Sequence, residues 1–352
     1  MDINLIINIV FYVAVLFIML VPGVVLKKCS LVSDTFGKGI SNLVLYIAQP
    51  ILIVSAYVNC TSSFSDIWVN ILMVFGLSIV AHVVFAAVAL NLFCKAPDDK
   101  RRILRLATIF SNAAFMGIPL IGEVLSPEAV IYASIYNITF NLFLWTLGVF
   151  LCTSGSGEDV DGDGDSDVFD DIAVAHRTAK SEVSLMKVLT HPVTLASVIG
   201  VIILATGANT AIGANLALES PNLLVKLVVK CLTMIKELVA PLSMVVIGLR
   251  LADVNFKGIF KDLHMYLFLA LRHLVLPLAV VGVARLLMLA GVPITTEALM
   301  VVTILAATPA ASSATMFAEK YDCDAGYASK LVIISTILSI LTIPLVVLVA
   351  QL

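Results

Sequence analysis

The chain has 352 residues, of which 61% are hydrophobic and 13% charged, and its mean hydropathy is +1.08. That is too little polar surface to clothe a soluble globule, so lipid must be the main solvent. The net charge of −3 gives no electrostatic reason to expect nucleic acid as a partner, and the six scattered cysteines, with no C-x-x-C pair and no His cluster, argue against a disulfide framework or a zinc site.

The chain begins MDINLIINIVFYVAVLFIMLVPG, which has neither a basic leader nor a small-residue cleavage site, and so reads as a spanning segment that is retained. A helix needs about 20 largely apolar residues to cross the hydrocarbon. Ten stretches qualify, near 3–25, 37–58, 67–93, 103–123, 129–152, 188–207, 227–250, 264–288, 297–318 and 326–350. Span two carries Pro50 about halfway along LYIAQPILIVSA, and span three carries His82. Span four reads FSNAAFMGIPLIGE, placing Ser111, Asn112, Gly117 and Pro119 at hydrocarbon depth. Gly and Pro loosen or break a helix there, and Asn requires hydrogen-bond partners. In span five Asn137 and Asn141 stand four apart, on one helical face, where they either line a cavity or bond across helices.

The hydrophilic stretch 153–187 divides the chain into a first five-helix unit, 1–152, and a second, 188–352. Within it Asp159, Asp161, Asp163, Gly164, Asp165, Asp167 and Asp170 follow the spacing of a calcium loop. The twelfth position is Asp rather than Glu and no clear helix leads in, so an acidic, solvated cytoplasmic linker is the preferred reading and no metal site is assigned.

In the second unit, span seven carries KELVAPLSMVVIG, with Pro241 in a place matching Pro50. Lys236 and Glu237 precede that proline; an ionisable pair inside a span is a candidate for ion coupling, or else snorkels at the outer boundary. Arg272 and His273 lie in span eight and, like His82, pair, relay protons or simply pack. Span nine reads ILAATPAASSATMFAE, so Thr308, Pro309, Ser312 and Ser313 interrupt it where Asn112 and its neighbours interrupt span four.

Retained cytoplasmic loops carry the excess of Lys and Arg. Lys27, Lys28 and Lys38 follow span one; Lys95, Lys100, Arg101, Arg102 and Arg105 follow span three; Arg177, Lys180 and Lys187 lie in the central loop; Arg250, Lys257 and Lys261, then Lys320 and Lys330, follow spans seven and nine. The alternate connections NCTSSFSD, EVLSPE, TGANTAIGANLALESPN and AGVPITT have none. Both termini are therefore expected outside a cell (inner) membrane. Five spans per unit give the two units opposite orientations, the pattern of an inverted repeat. Paired breaks in spans four and nine would bring four half-helix ends together near the midplane, where N-terminal ends suit a carboxylate.

SNAAFMGIPL in span four, and TPAASSATMFAEKYDCDAGYASKLVIISTILSILTIPL across spans nine and ten, resemble the auxin efflux carrier family, whose bacterial members include proteins assigned as malonate and malate permeases. APLSMVVIGLRLAD in span seven is a third match, and the likeness runs over essentially the whole chain. The resemblance implies an all-α polytopic fold of ten helices in two inverted repeats, similar to sodium/proton antiporters and bile-acid symporters. It implies that helices four and nine cross at prolines, that a transport domain moves against a scaffold, and that an anion binds at the crossover. The family's polar positions carry to Asn112 and Pro119, and to Pro309 with its neighbours. Relatives often have an Asn shortly after that second proline, where this chain has Ser312 and Ser313.

The expected function is secondary transport of a small mono- or dicarboxylate, with Ser111, Asn112, Gly117, Pro119, Asn137, Asn141, Thr308, Pro309, Ser312 and Ser313 as substrate-site candidates. No G-x-x-x-x-G-K-[ST] run powers pumping, and no nucleophile–base or metal constellation suggests an enzyme. No cofactor is expected beyond a coupling proton or sodium ion. The alternative is a sodium-coupled symporter or cation/proton antiporter of the same fold. The expected partners are lipid, the anion and a second copy of the chain.

Overall fold

Runs of Leu, Ile, Val and Phe, punctuated by capping and turn residues, fold into helices because lipid leaves each backbone group to find its partner within the chain. The computed structural model describes residues 3–33, 35–153, 185–215, 222–255, 258–321 and 323–352; the calcium-loop spacing at 159–170 lies outside them. The helices are α1 (Ile3–Lys28), α2 (Phe36–Val58), α3 (Phe64–Leu92), α4 (Asp98–Ile109), α5 (Ala113–Val124), α6 (Pro127–Thr153), α7 (Pro192–Ala205), α8 (Ala208–Asn215), α9 (Leu223–Asp253), α10 (Leu263–Leu289), α11 (Thr296–Ala307), α12 (Ser313–Lys320) and α13 (Ala325–Gln351). A single turn, Leu185–Leu189, leads into α7. Among the described residues seven helices are long and apolar enough to cross a membrane, namely α1, α2, α3, α6, α9, α10 and α13. The shorter apolar helices are α5, α7 and α11.

Local chemistry sets the ends. Ser126, Thr295 and Asp324 accept the N–H groups of Ala129, Ala298 and Tyr327 and so cap α6, α11 and α13. Gly207 (φ +70°) and Gly291 (φ +89°) close α7 and α10 in the left-handed region that glycine enters freely.

Three close approaches order the bundle. A Cβ on Gly23 would overlap the carbonyl of Val245, and one on Gly248 the carbonyl of Leu20, so α1 and α9 touch backbone to backbone. On α7, a Cβ on Gly200 would overlap the ring of Tyr57 in α2. On α5, a Cβ on Gly117 would lie 2.5 Å from Leu305 Cδ2 and 3.3 Å from Thr308 Cγ2 of the second interrupted segment. Small residues at helix contacts are how membrane bundles gain close packing where burial against lipid gains little.

Span seven differs from its expected limits. The helix starts at Leu223 and is interrupted at Leu238, so Lys226 and Lys230 stand on it, near an end that the loop charges left unmarked. None of the side chains on its first half, Leu223–Glu237, is buried.

Candidate functional site

Spans four and nine are both broken, and the breaks meet. The first helix stops at Ile109, Phe110 is extended (φ −97°, ψ 121°), and α5 begins at Ala113. The second stops at Ala307, Thr308 is extended (φ −61°, ψ 153°), and α12 begins at Ser313. Ser111 and Ala310 form an antiparallel bridge, the N–H of Asn112 donates to Pro309 O at 2.7 Å, and the N–H of Ala311 donates to Phe110 O at 2.9 Å. Backbone groups released by each break are thus satisfied by the other, which is what makes extended chain tolerable among buried helices. Pro309 has no N–H to leave unpaired and contributes only its carbonyl.

The crossing has two electrically different sides. On one, the C-terminal ends of α4 and α11 present carbonyls, and the fully buried Arg272 occupies that pole. Its Nε donates to Thr308 O at 3.2 Å, Nη1 to Thr108 O at 3.2 Å, and Nη2 to Ala306 O and Thr308 O, both at 2.9 Å. One guanidinium therefore ties both half-helix ends together, with the Phe85 ring 5.4 Å from its centre. Next to it, His273 bridges Ser335 Oγ at 2.8 Å and Thr342 Oγ1 at 2.9 Å, while Ser335 accepts the N–H of Ala310 at 2.9 Å. Both residues act here as clamps on the second break. They are placed by a widened helical turn, Leu271–Val275, just before Pro277.

On the other side lie the N-terminal ends of α5 and α12, whose first N–H groups have no partner within a helix. Asn112 O accepts the N–H groups of Met116 and Gly117, both at 3.1 Å, within the widened turn Ala113–Gly117. Asn112 Nδ2, Ser312 Oγ and Ser313 Oγ are buried there without a hydrogen-bond partner among the described residues, and Asn112 and Ser312 are 2% and 4% exposed. Sequence positions 100–122 and 298–318 contain no Asp or Glu. This positive pole has no acid within either break, whereas the negative pole has Arg272.

The other candidates spread around this centre. Ser111 lies beside the Tyr136 hydroxyl. Thr308 belongs to the Arg272 pole, its hydroxyl turned back to Leu305 O at 2.8 Å. Gly117 and Pro119 shape the start of α5, where Gly117 admits Leu305. Asn137 Oδ1 and Asn141 Nδ2 are buried on α6 without partners, and no hydrogen bond among the described residues ties them to the crossing. Pro50 follows a widened turn, Val44–Ala48, and Pro241 follows the interruption at Leu238. Lys236 reaches Ser55 Oγ at 3.4 Å and lines an apolar groove of about 730 Å3 between α2, α7 and α9, whereas Glu237 is exposed. His82 is held through Nδ1 by Ser78 O at 2.7 Å and stacks on Phe143 at 5.1 Å.

Two further residues belong to the site. Gln49, fully buried beside Pro50, donates from Nε2 to Ala114 O at 2.8 Å and leaves Oε1 unpartnered at the start of α5. Arg250 donates from Nη1 to Ser312 O at 2.9 Å. The sequence signal for Gln49 is an amide within LYIAQPILIVSA; that for Arg250 is only a positive charge at a loop.

No curated protein matches the chain. A family model described as membrane transport protein matches residues 8–347, nearly the full length, and that is the family to which the likeness at the two breaks pointed. With seven long apolar helices among the described residues and this match, the chain is a multi-pass membrane protein and belongs to the membrane transport protein family of auxin efflux carriers.

Proposed function

We propose that the chain is a secondary transporter of a small organic anion, a mono- or dicarboxylate, that works by alternating access at the crossing of its two broken helices. The observation that carries this reading is the asymmetry of the crossing: Arg272 neutralises the carbonyl pole, and the N–H pole, with Asn112, Ser312 and Ser313 unpartnered, has no acid of its own. Helix N-termini and unpaired donors stabilise a carboxylate. In this reading the interrupted pairs α4–α5 and α11–α12 each count as one span, giving ten spans as two inverted five-helix repeats, 1–152 and 188–352, joined by a cytoplasmic linker. Two matching contacts support it: α1 meets α9 at Gly23 and Gly248, and α7 meets α2 at Gly200, spans one with seven and six with two.

Both termini lie outside the inner membrane in this account, and coupling is to a proton or sodium gradient, with Lys236 and Glu237 as candidates. A membrane-impermeant maleimide tests the orientation: Cys29 and Cys94, both exposed in basic connections, should react in inverted vesicles and stay protected in intact cells. A homodimer through the unburied face of Leu223–Glu237 is proposed, to be checked by the mass of the detergent-solubilised particle. An antiporter of the same fold would need an acid in the breaks, and they have none. The deciding experiment offers purified protein in liposomes a panel of carboxylates under imposed proton, sodium and potential gradients. Saturable, gradient-driven accumulation is expected; passive flux without saturation would mark a channel and end the reading.

A further inference from the structure

A cavity of about 650 Å3 opens where the basic connections lie, walled by the C-terminal part of α9, the α1–α2 connection with the start of α2, and α12. Its charged lining is Lys27, Lys38, Arg250 and Lys320 against Asp253 and Glu319, four positive groups to two negative at neutral pH. Asp253 is more than half exposed and engaged with Lys27 at 3.2 Å. Arg250 is the lining residue that reaches the crossing, through its bond to Ser312 O.

That bond is electrostatically incomplete. A guanidinium has five N–H donors in a planar fork suited to a carboxylate. Here a neutral carbonyl takes one of them, and the cation is left beside the N-terminus of α12, itself a positive pole. The acid whose field reaches Arg250 is Glu319, near the far end of α12 and about 9 Å along the helix from Ser313 at about 1.5 Å per residue. Ser312 Oγ and Ser313 Oγ, both buried without partners among the described residues, belong to the residue whose carbonyl Arg250 holds and to its neighbour. Charge of one sign collected around unpaired donors is stabilised when an anion arrives.

We infer that Arg250 is the carboxylate-binding residue of this cavity: its fork takes a carboxylate of the substrate, and the hydroxyls of Ser312 and Ser313 with the first N–H groups of α12 complete the site. This assignment presupposes that the chain carries an organic anion. It makes Arg250 the residue that separates a carboxylate from its neutral amide, a distinction that a merely structural bond to Ser312 O does not provide.

The test uses the full chain purified in detergent, with malonate, malate and indole-3-acetate as probes and malonamide as the uncharged control. Binding is read by calorimetry and uptake in liposomes. Arg250→Gln should weaken binding of the carboxylate that the wild type prefers by at least about tenfold, as expected for loss of a charge-assisted fork. Arg250→Lys keeps the charge without the fork and should fall between the two, and malonamide should bind neither variant nor wild type. If Arg250→Gln does not fold, Arg250→Lys decides, with wild-type affinity overturning the inference. Wild-type affinity in a folded Arg250→Gln protein would overturn it while leaving the carrier reading intact. A wild-type protein that binds none of the three carboxylates would overturn both.

Discussion

Replacing Arg272 by Met removes the cation from the carbonyl pole of the crossing. Four N–H···O bonds are lost, and the carbonyls of Thr108, Ala306 and Thr308 lose this donor in a fully buried place. Orphaning a buried acceptor costs about 1–3 kcal/mol, so three give roughly 3–9 kcal/mol. Against this stands the relief of no longer burying a charge, worth several kcal/mol after relaxation. Setting about 6 kcal/mol for the orphaned acceptors against about 4 kcal/mol of relief leaves a loss of about 2 kcal/mol, since Met fills the volume but bonds nothing. At about 2–4 °C per kcal/mol for mid-sized domains, melting should fall by roughly 4 °C or more. Trp68 and Trp145, the two tryptophans, report unfolding of the detergent-solubilised protein by fluorescence. Arg272→Lys, with three donors on a point charge, should recover part of the loss. An Arg272→Met protein that melts with the wild type and transports normally would refute the clamp.

Gly117→Val should disrupt the contact between α5 and the second broken span, because a Cβ there meets Leu305 and Thr308; a loss of about 2 kcal/mol or more is expected, read as lower melting temperature with transport impaired. Asp262 accepts from Lys100 Nζ at 2.8 Å, from the N–H of His264 and from the Tyr327 hydroxyl at 3.1 Å, at the basic ends of α4, α10 and α13. Burial alone would raise its carboxyl, but these donors outweigh that and hold it below the usual carboxylate range. A depressed value makes its contribution complete above the unfolded value of about 4 and lost as pH falls through the folded one. The melting gap between wild type and Asp262→Asn should therefore close as pH falls below about 4; a gap that persists in stronger acid would contradict this.

Much of the crossing was legible because its signals are local. Ser, Asn, Gly and Pro inside an apolar run are costly in a plain helix, and FSNAAFMGIPL and ATPAASSATM show that cost at matching places. The direction of the polarity was not legible. For Arg272 and His273 the sequence leaves pairing, proton relay and packing open, because their partners are carbonyls and hydroxyls contributed by α4, α11 and α13 and the second break, far along the chain. Arg250 sits near a helix end, where a positive charge already has an explanation in topology, and its turn toward Ser312 O depends on tertiary packing alone. The amide of Gln49 was overshadowed by its neighbour Pro50. Lys226 and Lys230 stand outside the loop count because they lie on the first turns of span seven and not in the connection before it.

Uptake of a labelled carboxylate into liposomes by wild type, Asn112→Ala, Ser312→Ala and the double variant, each verified as folded by its melting curve, probes the crossing most directly. Saturable uptake by the wild type, weakened in each single variant and nearly abolished in the double, is the predicted result. Identical kinetics in all four proteins would contradict the placement of the substrate where the two broken helices meet.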